Sequence, residues 1–205
     1  AGKGVSAVVG GESVLLGNAL WLAEHSVATD ELDAAAEGLR AEGHSVLFAS
    51  VDGQLAGLLS ISDPIKPSSA AALAELRREG IEVVMLTGDH AATAEHIAAA
   101  VGLTEVRAGL LPAGKVTAVE ALRVAHGDVA MIGDGINDTP ALAAASVGIA
   151  MGRAAQALET ADVVLLGDGL RQLPFAVRLA RAAMRTVRFN VALSIAIKLV
   201  FFVLV

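Results

Sequence analysis

The sequence predicts an α/β fold whose main part is a parallel, doubly wound sheet. From Asp63 onward, helical patterns alternate with strand-like runs, the order expected of βαβ units. Those runs are continuously apolar, as in residues 81–86 and 129–132, which is how strands covered on both faces read. The second of them opens directly into Gly133-Asp134-Gly135-Ile136-Asn137-Asp138-Thr139-Pro140-Ala141-Leu142, a glycine-rich acidic turn at the carboxyl end of a strand. That is where open α/β sheets bind their ligands.

The elements follow in order. Residues 6–9 and 13–16 predict two strands joined at Gly10-Gly11. Residues 19–25 and 30–41 predict helices, the second with Thr29 or Asp30 as N-cap and Gly43 as C-cap. Residues 45–51 and 54–61 predict a hairpin around Asp52-Gly53, a dipeptide suited to the positive φ angles of a two-residue turn. Residues 68–79 predict a helix with Ala72, Leu73 and Leu76 on one face, followed by a strand at 81–86 and a helix at 91–101 that ends at Gly102. A helix at 113–125 and strands at 129–132, 147–150 and 163–166 complete the α/β part.

Residues 169–205 predict one long helix. Arg171, Arg178, Arg181, Arg185 and Arg188 stud its first half, and residues 191–205 are apolar apart from Ser194 and Lys198. Those fifteen residues rise about 22 Å as a helix, short of a hydrocarbon core of about 30 Å. The expectation is the start of a transmembrane helix with the basic residues on its cytoplasmic flank. A core helix closing the domain is the alternative; the run Phe201-Phe202-Val203-Leu204-Val205, with no polar face, disfavours it.

Composition bounds the rest. A chain of 205 residues holds one domain and part of another. Hydrophobic residues make up 55% and the mean hydropathy is +0.64, with the excess at the C-terminus, which points to membrane lipid as a partner. A net charge of −7 argues against a nucleic-acid surface. The absence of Cys excludes disulfides and thiolate metal sites within the sequence. Composition says nothing of oligomeric state.

The acidic turn carries the clearest chemistry. Asp134 and Asp138, with Asn137 between them, are hard oxygen ligands suited to Mg²⁺. Gly133 and Gly135 allow a sharp turn and close approach of a bound group. Three further strings stand upstream: Asp63-Pro64-Ile65-Lys66, Thr87-Gly88-Asp89 after an apolar strand, and Leu111-Pro112-Ala113-Gly114-Lys115 at a helix start.

In order and spacing these strings match the motifs D-x-x-[KR], T-G-D, L-P-x-x-K and G-D-G-x-N-D-x-P-A-L. On them, over most of residues 1–170, the chain resembles the second half of the cytoplasmic part of a heavy-metal P-type cation-transporting ATPase. The resemblance implies three parts: the C-terminal part of an α+β nucleotide-binding domain at 1–61, the C-terminal part of a haloacid-dehalogenase-like phosphorylation domain at 62–168, and a linker helix with the start of a transmembrane helix at 169–205. Residues 1–185 would be cytoplasmic at a cell membrane, that of the bacterial inner membrane. ATP and Mg²⁺ are the implied cofactors. The family's nucleophile stands in a D-K-T-G-T motif that this sequence lacks. It is expected upstream, and the chain by itself is expected not to autophosphorylate.

Roles carry over residue by residue. Thr87 resembles the hydroxyl that donates to the phosphoryl group, with the Gly88 N–H beside it, and Lys115 the ammonium that bridges nucleophile and phosphate. Asn137 resembles the residue that orients the phosphate, and Asp134 with Asp138 the Mg²⁺ carboxylates. Asp89, Asp63 and Lys66 resemble supporting or hinge residues. Gly2, Gly4, Gly17 and Asn18 match the nucleotide-domain glycine motifs, which would let adenine and ribose approach the backbone; Trp21 reads as core packing rather than a stacking platform. Asn190 followed eight residues later by Lys198 resembles exporters of Zn²⁺, Cd²⁺ and Pb²⁺ more than of Cu⁺, and makes Lys198 a transport-site candidate. Two departures stand out: Lys66 replaces a more usual Arg, and Arg153-Ala154-Ala155-Gln156-Ala157 lacks the family's Thr-Asp pair. A soluble phosphatase of the haloacid-dehalogenase superfamily and a truncated chain that only binds nucleotide are the competing readings.

Overall fold

The computed structural model describes residues 3–133, 136–152, 159–167 and 169–204. Strands β1 (Gly4–Val9), β2 (Glu12–Gly17), β3 (Ser45–Val51) and β4 (Gln54–Ile61) form an antiparallel sheet in the order β1-β2-β3-β4. Helices α1 (Ala19–Glu24) and α2 (Asp30–Ala41) are inserted between β2 and β3. The β3–β4 hairpin turns where expected, with Asp52 at φ 47° and Gly53 at φ 79°, the left-handed pair that matches the twist of its strands. Asp52 also ties the turn to β2, since its Oδ1 accepts from the Ser13 N–H at 2.8 Å. Alternate residues of β3 are buried, and Val46 and Phe48 join Leu15, Leu22, Val27 and Ala36 in one core. Phe48 is wholly buried there; truncating such a side chain costs about 3–5 kcal/mol.

The second half is α/β with every strand pair parallel. It comprises α3 (Ser68–Arg78), β5 (Val84–Leu86), α4 (Ala91–Val101), β6 (Glu105–Arg107), α5 (Pro112–His126), β7 (Ala130–Gly133), a 3-10 turn at Ile136–Asp138, α6 (Thr139–Ala144), β8 (Val147–Met151), β9 (Val163–Leu165) and α7 (Gly169–Leu204). The parallel strands form two pieces, β5-β6 and β7-β8-β9. Two expectations are corrected. The strand placed at 81–86 is only Val84–Leu86, because its partner β6 offers three residues. Nor is it covered on both faces: all three residues are half-buried.

Two cores serve this half. Leu73, Leu76, Val101, Ile149, Leu165 and Leu173 join α3, α4, β8, β9 and the first turns of α7. Val119, Met131, Ala141, Leu142 and Ala150 join α5, β7, α6 and β8, and Leu86 at the end of β5 packs against them. Helix α7 starts inside the fold, with Leu173 at 4% exposure, and leaves it as a bare apolar rod. It runs 36 residues and is long and apolar enough to cross a membrane, with a mean hydropathy of 2.0 over 18 residues none of which is buried.

Candidate phosphate site at the strand ends

Thr87, Gly88, Asp89, Lys115, Asn137 and Asp138 lie in loops that follow parallel strands, or on the helix starts that such loops feed. Thr87-Gly88-Asp89 leaves β5. The loop after β6 runs alongside it: the Leu110 N–H donates to the Thr87 carbonyl at 2.9 Å and the Gly109 N–H to the Asp89 carbonyl at 2.8 Å. This fixes the start of α5 beside the triplet. A Cβ on Gly88 would stand 3.3 Å from the Leu110 carbonyl oxygen, so the two loops leave little room for a side chain there.

Proline at the first position of α5 suits a helix start, since its missing N–H would have had no partner. One turn in, Lys115 reaches the acidic turn after β7. Its Nζ donates to Asp138 Oδ1 at 2.6 Å, with the two side chains only 16% and 13% exposed. Asp138 in turn lies over Gly133, where a Cβ would meet the Asp138 Cβ at 2.6 Å and Oδ2 at 2.9 Å. Only glycine lets this carboxylate fold back over the strand end. Val116 and Val119 of α5 pack with Met131 of β7, so the ion pair sits on a rigid layer.

The structure thus joins Lys115 and Asp138. It engages Thr87 differently from a free donor: Thr87 Oγ1 donates to Asp89 Oδ2 at 2.8 Å and accepts from the Asp89 N–H at 3.1 Å. Asp89 Oδ1 accepts from Ser45 Oγ of β3 at 3.1 Å, a partner that no motif signalled. Asp63 and Lys66 lie in an exposed irregular stretch. Lys198 and Asn190 are exposed on α7. Asp134 and Gly2 lie outside the described residues, as does the departure at Arg153-Ala154-Ala155-Gln156-Ala157.

At the other end of the chain, Gly4 and Gly17 surround Trp21. A Cβ on Gly17 would come within 2.6 Å of both the Lys3 carbonyl and the indole, and one on Gly4 would also strike the ring. The requirement for glycine is therefore met by the protein's own tryptophan. Asn18 caps α1, its Oδ1 accepting from the Trp21 N–H at 2.9 Å. Lys3 donates to Glu24, and that hydrogen bond holds the Glu24 carboxyl below its ordinary value. Trp21 Nε1 is buried without a hydrogen-bond partner among the described residues.

The donors around Asp138 suit Mg²⁺ in kind. Asp138 and Asn137 offer hard oxygens, and the buried Thr139 hydroxyl next to them has no partner among the described residues. No group of three or more acidic, His or Cys side chains converges among those residues. Asp138 is paired with the Lys115 ammonium.

Residues 4–146 match the haloacid dehalogenase-like hydrolase family. The chain belongs to that family. Among its relatives, a silver exporting P-type ATPase of Salmonella typhimurium is 48% identical over 190 residues, covering 92% of this chain and 23% of that protein. A probable cadmium-transporting ATPase of Listeria monocytogenes is 39% identical over 209 residues, covering all of this chain and 29% of that protein. The crystal structure of a zinc-transporting PIB-type ATPase in its E2.Pi state superposes with a TM-score of 0.71 at 38% identity, covering 98% of this chain and 32% of the other. The homologues of this haloacid dehalogenase-like chain are thus heavy-metal P-type ATPases, and it spans less than a third of each one's length. Membrane ATPases as relatives and the bare apolar α7 together make this a membrane-protein chain.

Proposed function

We propose that this chain supplies the phosphate-handling groups and the first downstream membrane helix of an ATP-driven exporter of a soft or borderline metal cation. The observation that carries this reading is the Lys115–Asp138 pair at 2.6 Å, which joins the L-P-x-x-K helix start to the acidic turn after β7. Phosphoryl transfer calls for fixed positive charge and hydrogen-bond donors around the moving group. Lys115 would turn from Asp138 to the phosphoryl oxygens, Thr87 and the Gly88 N–H would donate to them, and Asn137 would orient them. Mg²⁺, when bound by Asp134 and Asp138, supplies charge neutralisation. Asp89, held by Thr87 and Ser45, positions Thr87.

The nucleophilic aspartate would come from upstream of residue 1. The sheet topology supports this: β5 pairs only with β6, and β7 only with β8, so each keeps one open edge among the described residues. A strand carrying the nucleophile would fill the gap between those edges. Gly2, Gly4, Gly17 and Asn18 would form this chain's share of the ATP site, on the strength of the motif match and of the place of Gly4, Gly17 and Asn18 around one tryptophan. The domain limits 1–61, 62–168 and 169–205 belong to the same proposal.

For the cargo, Asn190 and Lys198 support Zn²⁺, Cd²⁺ or Pb²⁺. A second reading, a monovalent soft cation, is favoured by the 48% identity with the silver exporter. ATP hydrolysis by the full-length protein decides between them. Stimulation by Zn²⁺ and Cd²⁺, lost in Lys198→Ala, supports the divalent reading; stimulation by Ag⁺ alone supports the other. Loss of ATP-dependent phosphoenzyme in Asp134→Asn tests the Mg²⁺ assignment, and unchanged levels remove Asp134 from it.

A further inference from the structure

We propose that Arg185 and Arg188 of α7 form a binding site for the phosphate of an anionic phospholipid at the cytoplasmic face of the membrane. The inference rests on the membrane reading of α7 given above. At about 100° per residue, Arg171, Arg178, Arg181, Arg185 and Arg188 all fall within an arc of about 100°. They make one stripe, and Lys198 lies well outside it.

The stripe is used in two ways. Its upper part faces α3: Arg178 Nη1 lies 3.1 Å from Glu75 Oε2, and Arg181 Nη1 reaches Glu79 Oε2 and the Glu79 carbonyl, both at 2.9 Å. Helix α3 ends at Arg78. Below that point Arg185 and Arg188 continue the stripe with no partner among the described residues, both exposed. A groove lined by Glu79, Arg178, Arg181, Ala182 and Arg185 opens there, and its one acid is already taken by Arg181.

Height along the helix decides what fills the gap. Taking Val191 as the edge of the hydrocarbon, Arg188 stands about 4.5 Å above it and Arg185 about 9 Å, whereas Arg181 stands about 15 Å above. Head groups occupy roughly 5–8 Å per leaflet. Arg188 therefore sits within the phosphate layer, Arg185 at its upper boundary, and Arg181 beyond it. Charge agrees: residues 169–205 contain six of the 15 Lys and Arg and none of the 22 Asp and Glu. The guanidinium fork suits a phosphate oxygen pair better than an ammonium does.

The test is made on the chain reconstituted in phosphatidylcholine vesicles with a minor fraction of phosphatidylglycerol. The readout is the phosphatidylglycerol enrichment among lipids that co-purify on gentle extraction. The wild type is expected to be enriched, and each arginine removed in R185Q and R188Q should lower enrichment about five-fold. R171Q, on the same stripe but far from the head groups, should leave it unchanged. Unchanged enrichment in the double variant, or an equal loss in R171Q, overturns the proposal. So does displacement of the lipid by inorganic phosphate, which would make this a site for free oxyanions. Resistance of α7 to alkaline extraction is measured in parallel. If the chain is released, the membrane reading fails and the lipid site fails with it; if it stays while enrichment is absent, only the lipid site fails.

Discussion

The ammonium of Lys115 and the carboxylate of Asp138, 23 residues apart, meet at 2.6 Å over the end of β7. Both are mostly buried, so each is the other's main compensation for lost water. Lys115→Met and Asp138→Asn should each destabilise the chain. In a double-mutant cycle by urea unfolding the coupling should be about 1–3 kcal/mol. A coupling near zero would mean that the pair is not held as described.

Gly133 is the seat of that pair. Gly133→Ala places a methyl 2.6 Å from the Asp138 Cβ and 2.9 Å from its Oδ2, so Asp138 must shift to admit it. The variant should lose about 1–3 kcal/mol of stability. It should also make Lys115→Met nearly neutral in the G133A background, because Asp138 has already been displaced. Additive effects of the two changes would contradict this.

Helix ends, turns and long helices were legible in the sequence, whereas the pairing of side chains was not. Helix α2 runs Asp30–Ala41 and the hairpin joins Ser45–Val51 to Gln54–Ile61, both as read, because apolar periodicity and Asp52-Gly53 act locally. The parallel α/β character was legible from the alternation after Asp63. Strand β6 was not: Glu105-Val106-Arg107 has one apolar residue among three and is a strand only because β5 lies beside it. The four motifs named Thr87, Lys115 and Asp138 but not their partners. That Asp89 engages both Thr87 and Ser45, and that Asp138 needs Gly133 beneath it, depends on contacts between distant segments.

The chain contains one Trp and no Tyr, so its near-ultraviolet fluorescence reports on Trp21 alone. Because Gly4 and Gly17 both press on that ring, a nucleotide entering there must disturb it. Titration with a non-hydrolysable ATP analogue should shift the emission, and Gly17→Ala should alter the starting spectrum and abolish the shift. An analogue that binds by calorimetry without moving the emission would place the nucleotide elsewhere.

Lys3 holds the Glu24 carboxyl below its ordinary value of 4.5. A depressed carboxyl pKa gives stability that is present above the unfolded value and lost as pH falls through the folded one. The Lys3–Glu24 contribution should therefore be intact at neutral pH and disappear in the acid range below about 4.5. Lys3→Met should bring the Glu24 titration, followed by carbon NMR, back to the ordinary value; no movement would remove Lys3 as the cause.

Arg178 and Arg181 link α7 to Glu75 of α3 and to Glu79 just past its end through groups 27–53% exposed. Such pairs contribute about 0.2–1 kcal/mol each and weaken with salt. Hydrogen exchange at the end of α3 should therefore speed up with ionic strength in the wild type and be fast and salt-independent in E75Q/E79Q. A salt response that survives the double substitution would assign it to other charges.

The central claim is that this chain holds the groups that handle a phosphoryl but not the one that accepts it. It is tested most directly by incubating the 205-residue chain and the full-length protein side by side with radiolabelled ATP and Mg²⁺, then quenching in acid. No label is expected on the chain, and an acid-stable label on the full-length protein, mapping outside residues 1–205 and strongly reduced in Lys115→Met. Acid-stable label on an aspartate of the chain itself would contradict it.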